Sequence, residues 1–184
     1  NIIHWFAMKL NVEMNEKISP LPSGLENYRY FSNGIVRNFD KAYKLNQKIE
    51  KSNNNILCSF NASTNKTERE PLLEIAKTNQ KIDIRNFSDN KDYLNNLSTY
   101  KYNLCPEGND FESHRIWETL FFNNYPIVKH NLVNLNFVNL GIPLIMLKSW
   151  DFLNDENIYE TLNKNMHNKK SDSRQFVHFE FWKN

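Results

Sequence analysis

An imidazole, a guanidinium and a carboxylate share one face of a helix that the sequence predicts directly after a glycine turn; they belong to His114, Arg115 and Glu118. At about 100° per residue they lie on one arc of the helix, and the opposite arc is apolar. The apolar residues are Ile116, Trp117, Leu120 and Phe121. A helix N-terminus attracts negative charge, and a guanidinium binds phosphate through a planar fork of N–H groups. These residues therefore predict an anion site, with a carboxylate one turn further on that can hold ribose hydroxyls.

The alternative interpretation is a solvent-facing ion pair between Arg115 and Glu118, which are three residues apart and would be neighbours on any exposed helix. Arg115, however, is expected in the first turn, where the helix dipole favours anions over cations. Glu118 is C-terminal to it, which is the less favourable order for such a pair. A bound phosphate would remove this conflict, and both interpretations stay open at this point.

The elements that must position these residues occupy residues 100–129, in the order strand, turn, helix and strand. Lys101–Cys105 is a short apolar run, and Gly108-Asn109-Asp110 is a turn whose aspartate offers an N-cap. The pattern predicts a helix from Phe111 to about Asn123. We expect it to end at Asn124, because asparagine tolerates the left-handed backbone of a C-terminal cap.

Short apolar runs alternate with helical patterns along most of the chain. The predicted strands are Ile56–Phe60, Ile82–Phe87, Lys101–Cys105, Pro126–Val128 and Pro143–Leu147. The other predicted helices are Asn38–Lys51, Glu68–Asn79, Asn90–Tyr100 and Asp151–Met166. This alternation predicts an α/β fold with a doubly wound, mainly parallel sheet of about five strands, Rossmann-like, in the order 2-1-3-4-5. In that order the first and third strands are neighbours at the topological switch point, where such sheets bind ligands.

The segment from Leu104 to Leu120, LCPEGNDFESHRIWETL, together with the following Tyr125-Pro-Ile-Val128, resembles the donor-binding, C-terminal half of exostosin-like glycosyltransferases. The pattern of that family is roughly a strand, P-x-G, S/T-x-R-x-x-E-A-L and then G-C-I-P-V. Asn124-Tyr125 stands where Gly-Cys is usual, which changes the expected floor of the pocket. The motif-level resemblance covers about residues 56–152.

The resemblance implies a GT-B architecture and transfer of a sugar from a nucleotide-diphosphate sugar to a hydroxyl acceptor on a glycan or polysaccharide. Arg115 would contact the diphosphate and Glu118 the ribose, and these two are the expected catalytic residues. The expected donor-binding residues are Asn61, Arg69, Glu107, Gly108, Asn109, Ser113, His114, Arg115 and Glu118. For Arg69 a solvated arginine in the first turn of a helix is the equally weighted alternative.

The same resemblance predicts how the chain is divided. Residues 1–37 would be a hinge or linker from an upstream half, in which Ser19–Gly24 is a rigid connector. Residues 38–170 would be the Rossmann-like, nucleotide-sugar-binding domain, and residues 171–184 an aromatic segment that packs against it. An N-terminal half or partner domain would complete the enzyme and would normally supply the general base for the acceptor.

Composition excludes several classes of protein. The 184 residues include 23 basic and 21 acidic side chains, a balance that gives no nucleic-acid footprint. The longest apolar run near the end, Ile142–Leu147, is too short to span a membrane. Cys58 and Cys105 lack metal-ligand spacing, so we expect reduced thiols and a cytoplasmic protein, or a Golgi-lumen protein if the source is eukaryotic. The predicted strand order places these two cysteines close together, because each ends one of two neighbouring strands. No metal and no cofactor beyond the donor is expected.

Two rival interpretations remain. The first is a non-catalytic nucleotide- or glycan-binding α/β module that keeps the crevice without the chemistry. The second is a stand-alone nucleotide-binding α/β domain of another function. A donor-hydrolysis assay distinguishes a catalytic chain from the non-catalytic module. A nucleotide screen tests the stand-alone nucleotide-binding domain.

Overall fold

The computed structural model of the protein describes residues 3–26, 34–166 and 172–183. Within these ranges the strands are β1 (Trp5–Met8), β2 (Ile18–Leu21), β3 (Ser52–Cys58), β4 (Ile82–Ile84), β5 (Tyr100–Leu104), β6 (Tyr125–Lys129) and β7 (Ile145–Leu147). The α-helices are α1 (Val36–Asn46), α2 (Lys66–Thr78), α3 (Asn90–Leu97), α4 (His114–Phe121), α5 (Leu132–Asn139), α6 (Ile158–Lys164) and α7 (Phe179–Trp182). Short 3-10 helices occupy Ala62–Thr64, Trp150–Asn154 and Ser173–Val177.

The strands β3 to β7 form one parallel sheet in the order β4-β3-β5-β6-β7. Numbered from β3, this order is 2-1-3-4-5, so the predicted fold class and topology are confirmed. Ile56 lies opposite Tyr102, and Ile127 lies opposite both Leu104 and Ile145. Ile56, Leu104 and Ile127 are fully buried, as expected for a parallel sheet that is covered on both faces.

Helices cover both faces of this sheet. Leu72 of α2 and Leu162 of α6 pack in the same core cluster as Ile127, whereas Trp117 of α4 packs in the cluster of Val128. Successive side chains of a strand point to opposite faces, so the two clusters lie on opposite sides of the sheet. Helices α1, α3 and α5 belong to the second side, which they cover with Phe39, Leu94, Leu97 and Phe137.

The structure corrects the predicted bounds of the central helix. α4 begins at His114 rather than Phe111, and its N-cap is Ser113, whose hydroxyl accepts the Arg115 N–H. Asp110 instead belongs to the preceding turn, where its carbonyl accepts the Gly108 N–H at 3.1 Å. The left-handed residue after the helix is Asn123, with φ of 56°, one position before the predicted cap. The predicted apolar arc is confirmed, because Ile116, Trp117, Leu120 and Phe121 are buried.

Other predicted elements differ in length or continuity. The single helix predicted over Asp151–Met166 is wrong: a 3-10 helix and α6 replace it, with Asp155 between them. The strand predicted over Ile82–Phe87 ends at Ile84, and the helix predicted over Asn90–Tyr100 ends at Leu97, because Tyr100 starts β5. Helix α5 was not predicted.

The N-terminal segment, residues 3–26, is ordered against the sheet domain. β1 and β2 form a small parallel sheet, so the rigid connector expected at Ser19–Gly24 begins in a strand. Asn136 of α5 donates to the carbonyls of Leu10 and Val12, and its Oδ1 accepts the Met14 N–H. The domain divisions at residues 37 and 170 stay predictions, and residues 27–33 and 167–171 of those segments lie outside the described residues. Among the described residues, no helix has the length and apolar character needed to cross a membrane.

Candidate functional site

A cleft of about 1230 Å³ lies at the carboxyl ends of β3, β4 and β5, next to the N-terminus of α4. This edge is the topological switch point of the sheet, because β3 and β5 are neighbours although β4 lies between them in the sequence. All predicted donor-site residues except Glu107 line the cleft: Asn61, Arg69, Gly108, Asn109, Ser113, His114, Arg115 and Glu118. Ligand pockets typically have volumes of about 300 to 1,000 Å³, so the cleft is large enough for a ligand with several rings.

Arg115 and Glu118 form a buried polar group with Tyr93 of α3. The Tyr93 hydroxyl donates to Glu118 Oε2 at 2.6 Å and accepts from Arg115 Nη1 at 3.1 Å. Arg115 Nη1 also lies 3.8 Å from Glu118 Oε2, and the guanidinium carbon lies 5.5 Å from the centre of the Tyr93 ring. The Arg115 side chain is 25 % exposed and lines the cleft, and its contacts with Tyr93 and Glu118 fix the orientation of the guanidinium.

The Arg115–Glu118 contact differs from the exposed ion pair that was the alternative interpretation. Glu118 is 6 % exposed, and an ionised carboxylate that is this buried needs hydrogen bonds as well as a nearby cation. Tyr93 and Arg115 provide both. Burial first, and then the negative charge of Glu118, raise the pKa of Tyr93 well above its usual value, so its hydroxyl keeps the proton that it donates.

Arg69 joins two loops of the cleft. Its Nε donates to the Glu107 carbonyl at 2.8 Å, and its Nη1 donates to the Asn61 carbonyl at 2.9 Å. Its Nη2 lies 3.4 Å from the Pro106 carbonyl, and its side chain also packs against the Phe60 ring. Arg69 is 5 % exposed, so the alternative of a solvated arginine is wrong. Burial lowers the pKa of Arg69 to about 10, and the charge of Arg115 adds to this effect.

Gly108 makes the close approach of these loops possible. A Cβ atom at this position would lie 3.2 Å from Arg69 Nη2, tighter than most side-chain contacts. Asn65, the N-cap of α2, donates from its amide to the Gly108 carbonyl at 2.9 Å. The loop after β3 and the loop after β5 are therefore held together by Arg69 and Asn65.

The N-terminal segment closes another side of the cleft. The Ser23 N–H donates to Glu112 Oε1 at 2.7 Å, and His114 Nδ1 lies 2.6 Å from the Gly24 carbonyl. Lys9 forms an ion pair with Asp110. The residues before α4 are thus fixed from both sides, by the N-terminal segment on one and by Arg69 on the other.

Glu107 lies away from the cleft lining. Its carboxylate accepts from the Asn131 amide at 2.8 Å, and this contact joins the loop after β5 to the N-cap of α5. Its backbone carbonyl contributes to the site indirectly, because it accepts from Arg69. Glu107 therefore helps to hold the loop after β5 in place, and its expected role in donor binding stays a prediction.

The cleft residues that sequence reasoning missed include two aromatic side chains and a carboxylate. Tyr93 and Phe87, whose rings are 5.6 Å apart, line the cleft from the segment after β4, and Glu112 lines it from the turn before α4. The helical pattern around Tyr93 marked it only as part of α3. Glu112 was hidden because its turn was read as the start of the helix.

The charges of the cleft are mixed. Among the described residues that line it, the cations are Lys9, Arg69 and Arg115, and the acidic residues are Glu26, Asp89, Asp110, Glu112 and Glu118. Guanidinium groups bind phosphate oxygens, and carboxylates accept hydrogen bonds from hydroxyls. The cleft can therefore bind a ligand that carries both anionic and hydroxyl groups. Within the described residues no group of His, Cys, Asp or Glu side chains could hold a metal ion.

Cys58 ends β3, and Cys105 follows β5. β3 and β5 pair directly, with Leu57 opposite Asn103, so the predicted proximity of these two strands is confirmed. Both cysteines are buried and free. Burial raises the pKa of each thiol to about 12, so neither is a reactive nucleophile at neutral pH.

Comparison with known proteins adds no relative to this description. No protein-family model matches the chain, and a search of curated proteins finds no match.

Proposed function

We propose that this chain is the donor-binding half of a glycosyltransferase that moves a sugar from a nucleotide-diphosphate sugar to a hydroxyl group of a glycan or polysaccharide, as in polysaccharide biosynthesis. The observation that carries the proposal is the cleft at the switch point, which Arg69, Arg115 and Glu118 line together. A diphosphate needs fixed cations and N–H groups, and a ribose needs an acceptor for its hydroxyls. Arg115 and Glu118 belong to the motif from Leu104 to Leu120, and Arg69 comes from α2.

Arg115 would bind the diphosphate. It lies in the first turn of α4, where the helix dipole also favours an anion, and Tyr93 and Glu118 fix the orientation of its guanidinium. During transfer the bond between the sugar C1 and the diphosphate oxygen breaks, and the leaving diphosphate keeps the electron pair. A fixed guanidinium stabilises the negative charge that develops on this group.

Glu118 would bind the ribose. Glu118 follows Arg115 by three residues on the same helix, a backbone rise of about 4.5 Å, and its Oε2 lies 3.8 Å from Arg115 Nη1. A ribose next to a diphosphate on Arg115 would therefore lie close to this carboxylate. Phe87 and Tyr93 offer aromatic surface at the same end of the cleft, on which a base could stack.

The acceptor and its general base are expected from an N-terminal half or partner domain. The activity is expected in the cytoplasm, or in the Golgi lumen if the source is eukaryotic. In this proposal the nucleotide-diphosphate sugar is a substrate, and no metal or other cofactor takes part.

Nucleotide binding followed by donor hydrolysis tests the proposal. Thermal shift with UDP, GDP, ADP and their sugar conjugates should show stabilisation by at least one nucleotide diphosphate, and hydrolysis of its conjugate should appear or increase when an N-terminal half is added. Binding without hydrolysis in either condition would favour the non-catalytic module. A melting temperature that no nucleotide changes would contradict the proposal itself.

A further inference from the structure

Glu112 is a buried carboxyl group with one unused oxygen. It is 5 % exposed and lines the cleft directly before α4. Its Oε1 accepts hydrogen bonds from the Ser23 N–H at 2.7 Å and from the Trp117 indole N–H. Its Oε2 is buried and has no hydrogen-bond partner within the described residues. Buried polar atoms are rarely left unpaired, because each pays the cost of desolvation without the gain of a bond.

The position of Glu112 relative to the other charged residues is regular. Glu118, Arg115 and Glu112 follow one another at three-residue intervals along α4 and the turn before it, and all three line the cleft. A nucleotide-diphosphate sugar presents ribose hydroxyls, then phosphates, then sugar hydroxyls in the same linear order. With Glu118 at the ribose and Arg115 at the diphosphate, Glu112 comes next, on the sugar side.

We propose that Glu112 binds a hydroxyl of the transferred sugar through Oε2 and so contributes to the selection of that sugar. This inference rests on the proposed function. The contact joins a hydroxyl donor on the ligand to a carboxylate acceptor on the protein, and it transfers no proton or other group. Glu112 is therefore a residue for binding and specificity.

The surroundings of Glu112 hold its carboxylate in place. Its two donors fix Oε1 and, with it, Oε2, so a ligand hydroxyl that binds the buried Oε2 must displace the groups that cover this oxygen. Burial raises the pKa of Glu112, because the charged form lacks the water that would solvate it. A sugar hydroxyl would replace that water, in a place where bulk solvent does not compete.

The test compares affinity for a nucleotide with affinity for its sugar conjugate. Isothermal titration with UDP and UDP-glucose, and with GDP and GDP-mannose, gives the ratio of the two dissociation constants in the wild type and in Glu112→Gln. The amide keeps an oxygen to accept from Ser23 and Trp117, but it replaces the acceptor Oε2 with an N–H₂ group. Glu74→Gln, on the exposed surface of α2, is the matched control.

We expect the sugar-dependent gain in affinity to fall at least about tenfold in Glu112→Gln, with UDP or GDP affinity changed less than about twofold. A deoxy series of the preferred sugar should show one hydroxyl whose removal costs the wild type the same factor and costs the variant nothing further. If Glu112→Gln melts early, Glu112→Asp takes its place in the same titrations, since it keeps the carboxylate but withdraws it from the cleft.

Two results would overturn the inference. The first is an unchanged ratio in the variant, which includes an equal loss for nucleotide and conjugate, because Glu112 would then support the site as a whole. The second is a wild type that binds nucleotide and sugar conjugate equally well. A wild type that binds none of UDP, GDP, ADP and their conjugates refutes the proposed function instead, so the two failures are distinguishable.

Discussion

Replacement of Trp117 by alanine should destabilise the domain strongly. Trp117 has no exposed surface. Its ring packs edge-on against those of Phe137 and Trp182, with distances of 5.1 Å and 6.0 Å between ring centres. Removal of a buried tryptophan costs about 3 to 5 kcal/mol of unfolding free energy, because transfer free energy is lost and a cavity remains. The indole N–H also donates to Glu112, so the variant leaves a buried carboxyl group with one donor fewer.

Thermal and urea unfolding measure this effect. In a domain of this size each kcal/mol shifts the melting temperature by about 2 to 4 °C, so we expect a loss of about 6 to 20 °C. Trp5→Ala is the matched control, since Trp5 is 57 % exposed on β1 and its removal should change the melting temperature by no more than a few degrees. Equal melting temperatures for Trp117→Ala and Trp5→Ala would refute the assigned orientation of α4, and with it the placement of Arg115 and Glu118 in the cleft.

Three further predictions concern the cleft and the two strands beneath it. Tyr93→Phe removes a buried hydroxyl between Arg115 and Glu118, and it should lower the unfolding free energy by about 1.5 to 3 kcal/mol in urea titrations; a change below about 0.5 kcal/mol would contradict the contact. Arg69→Ala leaves buried carbonyls unpaired and should melt earlier than Arg37→Ala on the exposed face of α1, whereas equal melting would show that Arg69 does not join the loops. Cys58 and Cys105 should react with a thiol reagent at pH 8 only after urea is added, since thiols with a pKa of about 12 hold almost no thiolate there; fast labelling of the native protein would show that they are accessible.

The sheet could be predicted because its strands are short apolar runs separated by helical patterns. Runs such as the one that contains Ile56 and Leu57 are buried on both faces in parallel sheets, and the alternation with helices leaves few strand orders to consider. The first turn of α4 was placed too early because Asp110 and Ser113 are both good N-caps. The hydrogen bond within the Gly108 turn decides between them, and it depends on contacts that the sequence does not display.

Helix α5 was missed for a different reason. Its sequence, LVNLNFVN, has no charged face, and it buries Asn134 and Asn136 as well as its apolar residues. The burial of Asn136 is explained by its hydrogen bonds to the N-terminal segment, a tertiary contact more than 100 residues away in sequence. Tyr93 and Glu112 were missed for a similar reason, because each is held at the cleft by a hydrogen bond to a residue that is distant in sequence. Tyr93 donates to Glu118, and Glu112 accepts from Ser23.

The most direct test of the donor-binding proposal is the affinity of the wild type and Arg115→Ala for UDP and GDP, measured by isothermal titration. A charge-assisted contact between Arg115 and a diphosphate is worth about 1.5 to 3 kcal/mol. We therefore predict that the wild type binds one of the two nucleotides and that Arg115→Ala weakens this binding by about ten- to a hundredfold. Arg115→Ala should also melt earlier than the wild type, because it leaves the buried Glu118 carboxylate without its cation, so the affinities are compared at a temperature at which both proteins are folded. Arg37→Ala should bind as the wild type does. Equal affinity of the wild type and Arg115→Ala, or a wild type that binds none of UDP, GDP and ADP, would contradict the assignment of this cleft to a nucleotide diphosphate.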